Sequence, residues 1–181
     1  MVRHTSVSGG KAVATAVAAM VALATGLGGP ASAAEPGKAK PGTPGKCVVW
    51  KDLPESVTGI DYQDTPPTGP SVGDTGVYHD VLKDLDGRVV AKVTGTGRML
   101  YNDPVTGHLI GLYEDEIRFT GGGAAKALGS ADINVMLGGA TVSIGLVGTK
   151  GKYRGWYGTR NWIVKSHELA IVTMTLCPFA R

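Results

Sequence analysis

His108-Leu109-Ile110-Gly111-Leu112-Tyr113-Glu114-Asp115-Glu116-Ile117-Arg118-Phe119 alternates along its whole length. Leu109, Gly111, Tyr113, Asp115, Ile117 and Phe119 fall on one side, and His108, Ile110, Leu112, Glu114, Glu116 and Arg118 on the other. A period of two belongs to a strand with one face buried, and the first set is the face expected inside. Asp115 then stands among aromatic and aliphatic neighbours, where a carboxyl has to be paired, protonated or functional.

Turn chemistry lies on the N-terminal side of this strand. Asn102-Asp103-Pro104-Val105-Thr106-Gly107 and, before it, Leu85-Asp86-Gly87 carry the residues that tight turns require, so 74–119 reads as a three-stranded meander. Helical periodicity is missing after residue 47, and short β-rich runs are punctuated by Gly, Asp, Asn and Pro. Strands are expected near 47–52, 57–62, 74–83, 88–101, 108–119, 131–137, 141–147, 153–164 and 168–177, the spacing of an antiparallel barrel or sandwich.

The beginning of the chain reads as an address. Arg3 and Lys11, an apolar run from Ala12 to Leu27 and the small-residue site Ala31-Ser32-Ala33 make residues 1–33 a secretory signal peptide cleaved after Ala33. The run is short of the ~20 strongly apolar residues a spanning helix needs, so no membrane association is expected after cleavage. Residues 34–46, rich in Pro, Gly and Lys, have nothing to bury and read as a flexible leader. The folded domain is expected over 47–181, enough for one core, in a secreted, extracellular protein.

Taking away 1–33 removes two basic residues and no acid, so 18 basic against 15 acidic side chains becomes 16 against 15. A nearly neutral chain argues against a nucleic-acid partner, which would need a basic face. Cys47 and Cys177 are the two cysteines, one at the first apolar run and one at the last. In an exported protein such a pair implies a disulfide, and a loop of this length gives about 5 kcal/mol in the chain-entropy model.

Several motifs fail on spacing. In Gly148-Thr149-Lys150-Gly151-Lys152 the first glycine of a phosphate loop would fall on Leu146, and Tyr153 stands where Ser or Thr is needed. Gly95-Thr96-Gly97 lacks a third glycine and sits between strand-like residues. His79, His108 and His167 are scattered without metal-ligand spacing, and no Gly-x-Ser-x-Gly elbow is present. Chemistry, if any, is acid/base or positional, and no metal or other cofactor is expected.

The stretch Ser71-Val72-Gly73-Asp74-Thr75-Gly76-Val77-Tyr78-His79-Asp80-Val81-Leu82, followed by Asp86-Gly87-Arg88-Val89, resembles the allene oxide cyclase barrel family and its dirigent-protein relatives. Ile117-Arg118-Phe119 with its Gly-rich turn, Asn134-Val135-Met136-Leu137-Gly138, and Val147-Gly148-Thr149-Lys150-Gly151-Lys152-Tyr153-Arg154-Gly155-Trp156-Tyr157-Gly158 follow in family order. The resemblance implies an all-β fold, an eight-stranded antiparallel closed β-barrel, often a homotrimer. Its lumen binds an apolar small molecule and needs no cofactor. It also implies that Gly76, Tyr78 and Asp80 turn inward.

Departures from the family pattern bear on chemistry. Plant cyclases carry a Glu on the first strand, where a gapless match places Trp50, with Asp52 two residues on; Lys152 stands where dirigent proteins often have an acid. The expectations are therefore Asp80 and Asp115 as catalytic groups and Trp50, Tyr78, Tyr113 and Phe119 as ligand-binding residues. The function expected is a cyclase or isomerase acting on an apolar, reactive substrate. The alternatives are a dirigent-like or carrier protein without turnover, and a purely structural role for both acids.

Overall fold

The computed structural model describes residues 46–179. The signal peptide read over 1–33, and all of the leader except Lys46, lie outside the described residues.

Eight strands run in chain order as β1 (Val48–Gln63), β2 (Thr75–Lys83), β3 (Val89–Asn102), β4 (Leu109–Phe119), β5 (Ala124–Asp132), β6 (Val142–Lys150), β7 (Tyr157–Ser166) and β8 (Leu169–Cys177). Each pairs antiparallel with the next, and β1 pairs with β8, which closes the barrel and leaves no edge. A five-residue helix α1 (Ile133–Leu137) lies between β5 and β6, and a single 3-10 turn covers Gly151–Tyr153. Cys47 and Cys177 form the disulfide, joining the chain just before β1 to the end of β8.

Three expectations about strands are corrected. The runs near 47–52 and 57–62 are one strand, because β1 continues through Pro54 and Glu55 while paired to β8 on one side and β2 on the other. The strand expected over 131–137 is instead the end of β5 followed by α1. Asp132 caps that helix, its side chain accepting from the Val135 amide at 3.0 Å. β5 itself was not expected, since Ala124-Ala125-Lys126-Ala127-Leu128-Gly129-Ser130 has low β-propensity. Its pairing to β4 and β6 overrides that preference.

Inside the barrel the packing falls into layers. One end is plugged by aromatics: Trp50 stacks on Phe119 with ring centroids 4.6 Å apart, and Tyr153 meets both edge-on at 5.3 and 5.0 Å. Leu53, Leu82, Val93, Ile117, Leu146, Val172 and Met174 fill the middle. The far end is different. There the inward positions of β1, β2, β4 and β7 carry Glu55, Asp80, Asp115 and Arg160, all buried.

At that same end Asp74 is fully buried beside Gly73, whose φ is +98°. Its carboxylate accepts from the Tyr62 hydroxyl at 2.6 Å and the Thr65 and Ser71 amides at 2.7 and 2.8 Å, which fastens the β1–β2 connection to the barrel.

Candidate functional site

A backbone irregularity brings Glu55 into the barrel. Between Trp50 and Leu53 the register of β1 against β8 shifts, and Asp52 adopts φ +53°. Even-numbered residues face inward before this bulge (Val48, Trp50) and odd-numbered ones after it (Leu53, Glu55). A gapless reading of β1 therefore passes over Glu55, the acid that the strand places inside.

Asp80 arrives from β2, between Val57 of β1 and Val93 of β3 in the register. Asp115 arrives from β4, opposite Gly95 of β3, which in turn lies opposite Tyr78 of β2. Gly95 brings no side chain into the lumen, and a Cβ there would sit 2.2 Å from the Tyr78 ring and 2.5 Å from Oδ1 of Asp115. Through this gap the Tyr78 hydroxyl donates to Asp115 Oδ1 at 2.5 Å.

Arg160 of β7 holds the acids together. Its Nη2 donates to both carboxylate oxygens of Glu55 at 2.6 Å, and its Nη1 stands 3.4 Å from Oδ2 of Asp115. The guanidinium also lies over the Trp162 ring, 4.9 Å from its centroid, and Trp162 meets Tyr113 edge-on at 5.8 Å. Two carboxyls, Glu55 and Asp115, thus share one guanidinium, and the third acid of the layer, Asp80, makes no ion pair with it.

That imbalance sets the protonation states. Burial pushes the Glu55 carboxyl up, and Arg160 pulls it only part of the way back. Burial, and after it the Glu55 carboxylate, push Asp80 up to about 7. Burial alone would lower the Arg160 guanidinium, yet Glu55 and Asp115 more than offset it and keep it charged. Tyr78 and Tyr113 are raised by burial and then by Asp115, Tyr113 to about 12, so both remain hydroxyl donors. Asp80 Oδ1, Asp115 Oδ2 and Arg160 Nε are buried without a hydrogen-bond partner.

Above this layer the barrel opens into a cavity of about 240 Å³. Glu55, Asp80 and Arg160 lie at its floor; Val57, Tyr78, Tyr113, Trp162 and Val164 form walls, and Met136 and Leu137 of α1 close part of the rim. Of the residues expected at a site, Asp80, Tyr78 and Tyr113 line this cavity and Asp115 sits beneath it against Tyr78 and Arg160. Trp50 and Phe119 do not join them, being stacked in the plug at the other end. Glu55, Arg160 and Trp162 went unnoticed in the sequence. Alternation in β7 could have found the last two.

Residues 55–175 match the allene oxide cyclase barrel like domain. The chain belongs to that family. This allene oxide cyclase-like barrel is also similar to solved structures. A nonspecific heme-binding cyclase that catalyses a 4 + 2 cycloaddition during neoabyssomicin biosynthesis is 28% identical with a TM-score of 0.68, over 74% of this chain and 65% of that one. The Diels-Alderase AbmU from Streptomyces koyangensis is 29% identical with a TM-score of 0.68, over 74% and 64%. AbnU, an exo-specific intermolecular Diels-Alderase, is 26% identical with a TM-score of 0.66, over 72% and 96%. The chain thus spans just under two thirds of the first two. The pterocarpan synthase dirigent protein PsPTS1, at 13% identity and a TM-score of 0.55, shares the fold. No curated protein matches the chain.

Proposed function

We propose that the protein is an exported small-molecule cyclase, which holds an apolar, reactive substrate in the mouth of the barrel and closes a ring there. The observation that carries this reading is the cavity of about 240 Å³, walled by Tyr113, Trp162, Val164 and Met136 and floored by Asp80, a carboxylic acid poised near neutrality. Similarity to three cyclases supports it. The Cys47–Cys177 disulfide suits an oxidising compartment, as does the secretory pattern read over residues 1–33.

Ring closure within a polyene is an isomerisation, so it needs no co-reactant, and most of the barrier can be met by holding the reacting ends together. Positioning of that kind is worth several kcal/mol. The walls restrict the chain to one folded conformer. Protonated Asp80 donates a hydrogen bond to an oxygen on which electron density grows during bond formation. Asp115 has a different part. Engaged by Tyr78 and facing Arg160, it fixes the floor and acts as a positioning residue.

The test is to incubate the mature protein with polyene or epoxide metabolites from its own source and compare product formed by the wild type, Asp80→Asn and Asp115→Asn. Turnover reduced in the variants with binding retained supports the cyclase. Ligand bound without conversion by all three proteins makes this a carrier instead.

A further inference from the structure

Resting on the cyclase reading, we infer that α1 sets the size of molecule the mouth accepts. Met136, with Leu137 beside it, is the specificity-determining boundary, and the site takes a compact apolar body while turning away longer chains of the same chemistry.

α1 is built into the end of the barrel. Ile133 at its start is buried, and its Cδ1 occupies the room that Gly111 leaves on the inner face of β4, where a Cβ would stand 2.9 Å from it. Asn134 Oδ1 accepts from the Leu109 amide at the start of β4 at 3.0 Å. Asp132, which caps the helix through Oδ1, has its Oδ2 2.7 Å from His108 Nδ1. A helix this short has little stability of its own, so these contacts with the start of β4 fix where it lies.

Three and four residues after Ile133, Met136 and Leu137 share its face and reach the mouth. The Tyr113 hydroxyl donates to Met136 Sδ at 3.8 Å, which seats Met136 against an aromatic wall of the cavity. Of the described residues that line the mouth, Met136, Leu137 and His167 are the ones that stand outside the strands. His167 is exposed in the β7–β8 turn. The other walls belong to strands paired on both sides in a closed barrel, so their spacing is set by the sheet. The boundary that can differ without changing the barrel is therefore α1. At about 240 Å³ the cavity has no slack, since pockets for drug-sized ligands run from roughly 300 to 1,000 Å³. A longer body has to displace Met136 and Leu137 or stay outside.

Two ketones test this by quenching of tryptophan fluorescence: β-ionone, and β-ionylideneacetone, which carries the same ring and the same methyl ketone on a longer conjugated chain. On an open apolar face the longer molecule would bind more tightly, because it buries more surface. Wild type is expected to show the opposite order, with β-ionone at least tenfold tighter. Met136→Ala should bring the two affinities together or reverse them. Met136→Leu, close to methionine in volume, should keep the wild-type order. Leu137→Ala, at a more exposed position, should move the ratio in the same direction as Met136→Ala and reads the effect if that variant does not fold. Wild type binding the longer ketone as tightly as β-ionone, a ratio unchanged in both alanine variants, or a ratio shifted as far by Met136→Leu as by Met136→Ala overturns the inference and leaves the cyclase standing. Neither ketone bound by any of the four proteins removes the ligand-binding reading of the mouth and this inference with it.

Discussion

The Tyr78 hydroxyl donates to Asp115 from two strands away, over a β3 that contributes no side chain at the crossing point. Gly95 is the residue that makes the crossing possible, since any Cβ there overlaps the Tyr78 ring. Gly95→Ala is accordingly expected to displace Tyr78 and leave Asp115 without its donor. Overpacking and the lost hydrogen bond together amount to about 2–4 kcal/mol. Tyr78→Phe removes only the hydroxyl and should cost about 1–3 kcal/mol. Urea unfolding of the two variants reads the difference; a Gly95→Ala protein as stable as wild type would mean that β3 shifts to make room.

Arg160 is expected to be the least replaceable residue of the floor. Arg160→Met leaves Glu55 and Asp115 buried without their counter-charge, a loss of about 3–5 kcal/mol. Glu55→Gln in the same background removes one of the stranded charges, so the double variant should lose less than the sum of the two single losses. Strict additivity in denaturant unfolding would show that the two side chains do not depend on each other.

How much of this was legible beforehand varies with the strand. Alternation in β4 placed Tyr113, Asp115, Ile117 and Phe119 on the inner face, because that strand is regular from Leu109 to Phe119. β1 is not regular. The bulge at Lys51 and Asp52 reverses which residues face inward, and nothing in the sequence marks it, since Asp52 occupies a backbone region that usually goes to glycine. Glu55 was hidden for that reason. β5 was hidden by its alanines and α1 by its brevity, and both are fixed by pairing and packing with distant segments. Gly95 was visible as a glycine, but its purpose depends on Tyr78 and Asp115 meeting across it, which only the register reveals.

Trp50 and Phe119 belong to the plug, so changing them should separate stability from ligand binding. Phe119→Ala removes the stacking partner of Trp50 and one edge of the Tyr153 contact, for a loss of about 3–5 kcal/mol. At temperatures where the variant remains folded, its affinity for a mouth ligand should match the wild type. Trp162→Ala should do the reverse in emphasis, weakening the ligand because Trp162 lines the cavity. Thermal melts alongside titrations distinguish the two, and a Phe119→Ala protein that is stable but unable to bind would place the ligand deeper than the mouth.

Asp80 gives the protein a pH dependence with a definite sign. Its carboxyl titrates near 7 in the folded chain against an ordinary value of 3.8. Between those two values the folded state holds a proton that the unfolded chain has released. Stability therefore falls as pH rises through that window. The contribution is fully present below about 4, is lost progressively up to about 7, and does not change further above that. Glu55, raised in the same direction by burial, adds to the slope. Asp80→Asn removes the Asp80 part, so the stability gap between variant and wild type should move in the variant's favour as pH climbs from 4 to 7 and then hold constant. Unfolding free energies measured by urea titration at half-unit steps from pH 4 to 8 would test it: curves for the two proteins that run parallel throughout would mean that Asp80 is ionised in the folded barrel across the whole range, and that it has no proton to donate.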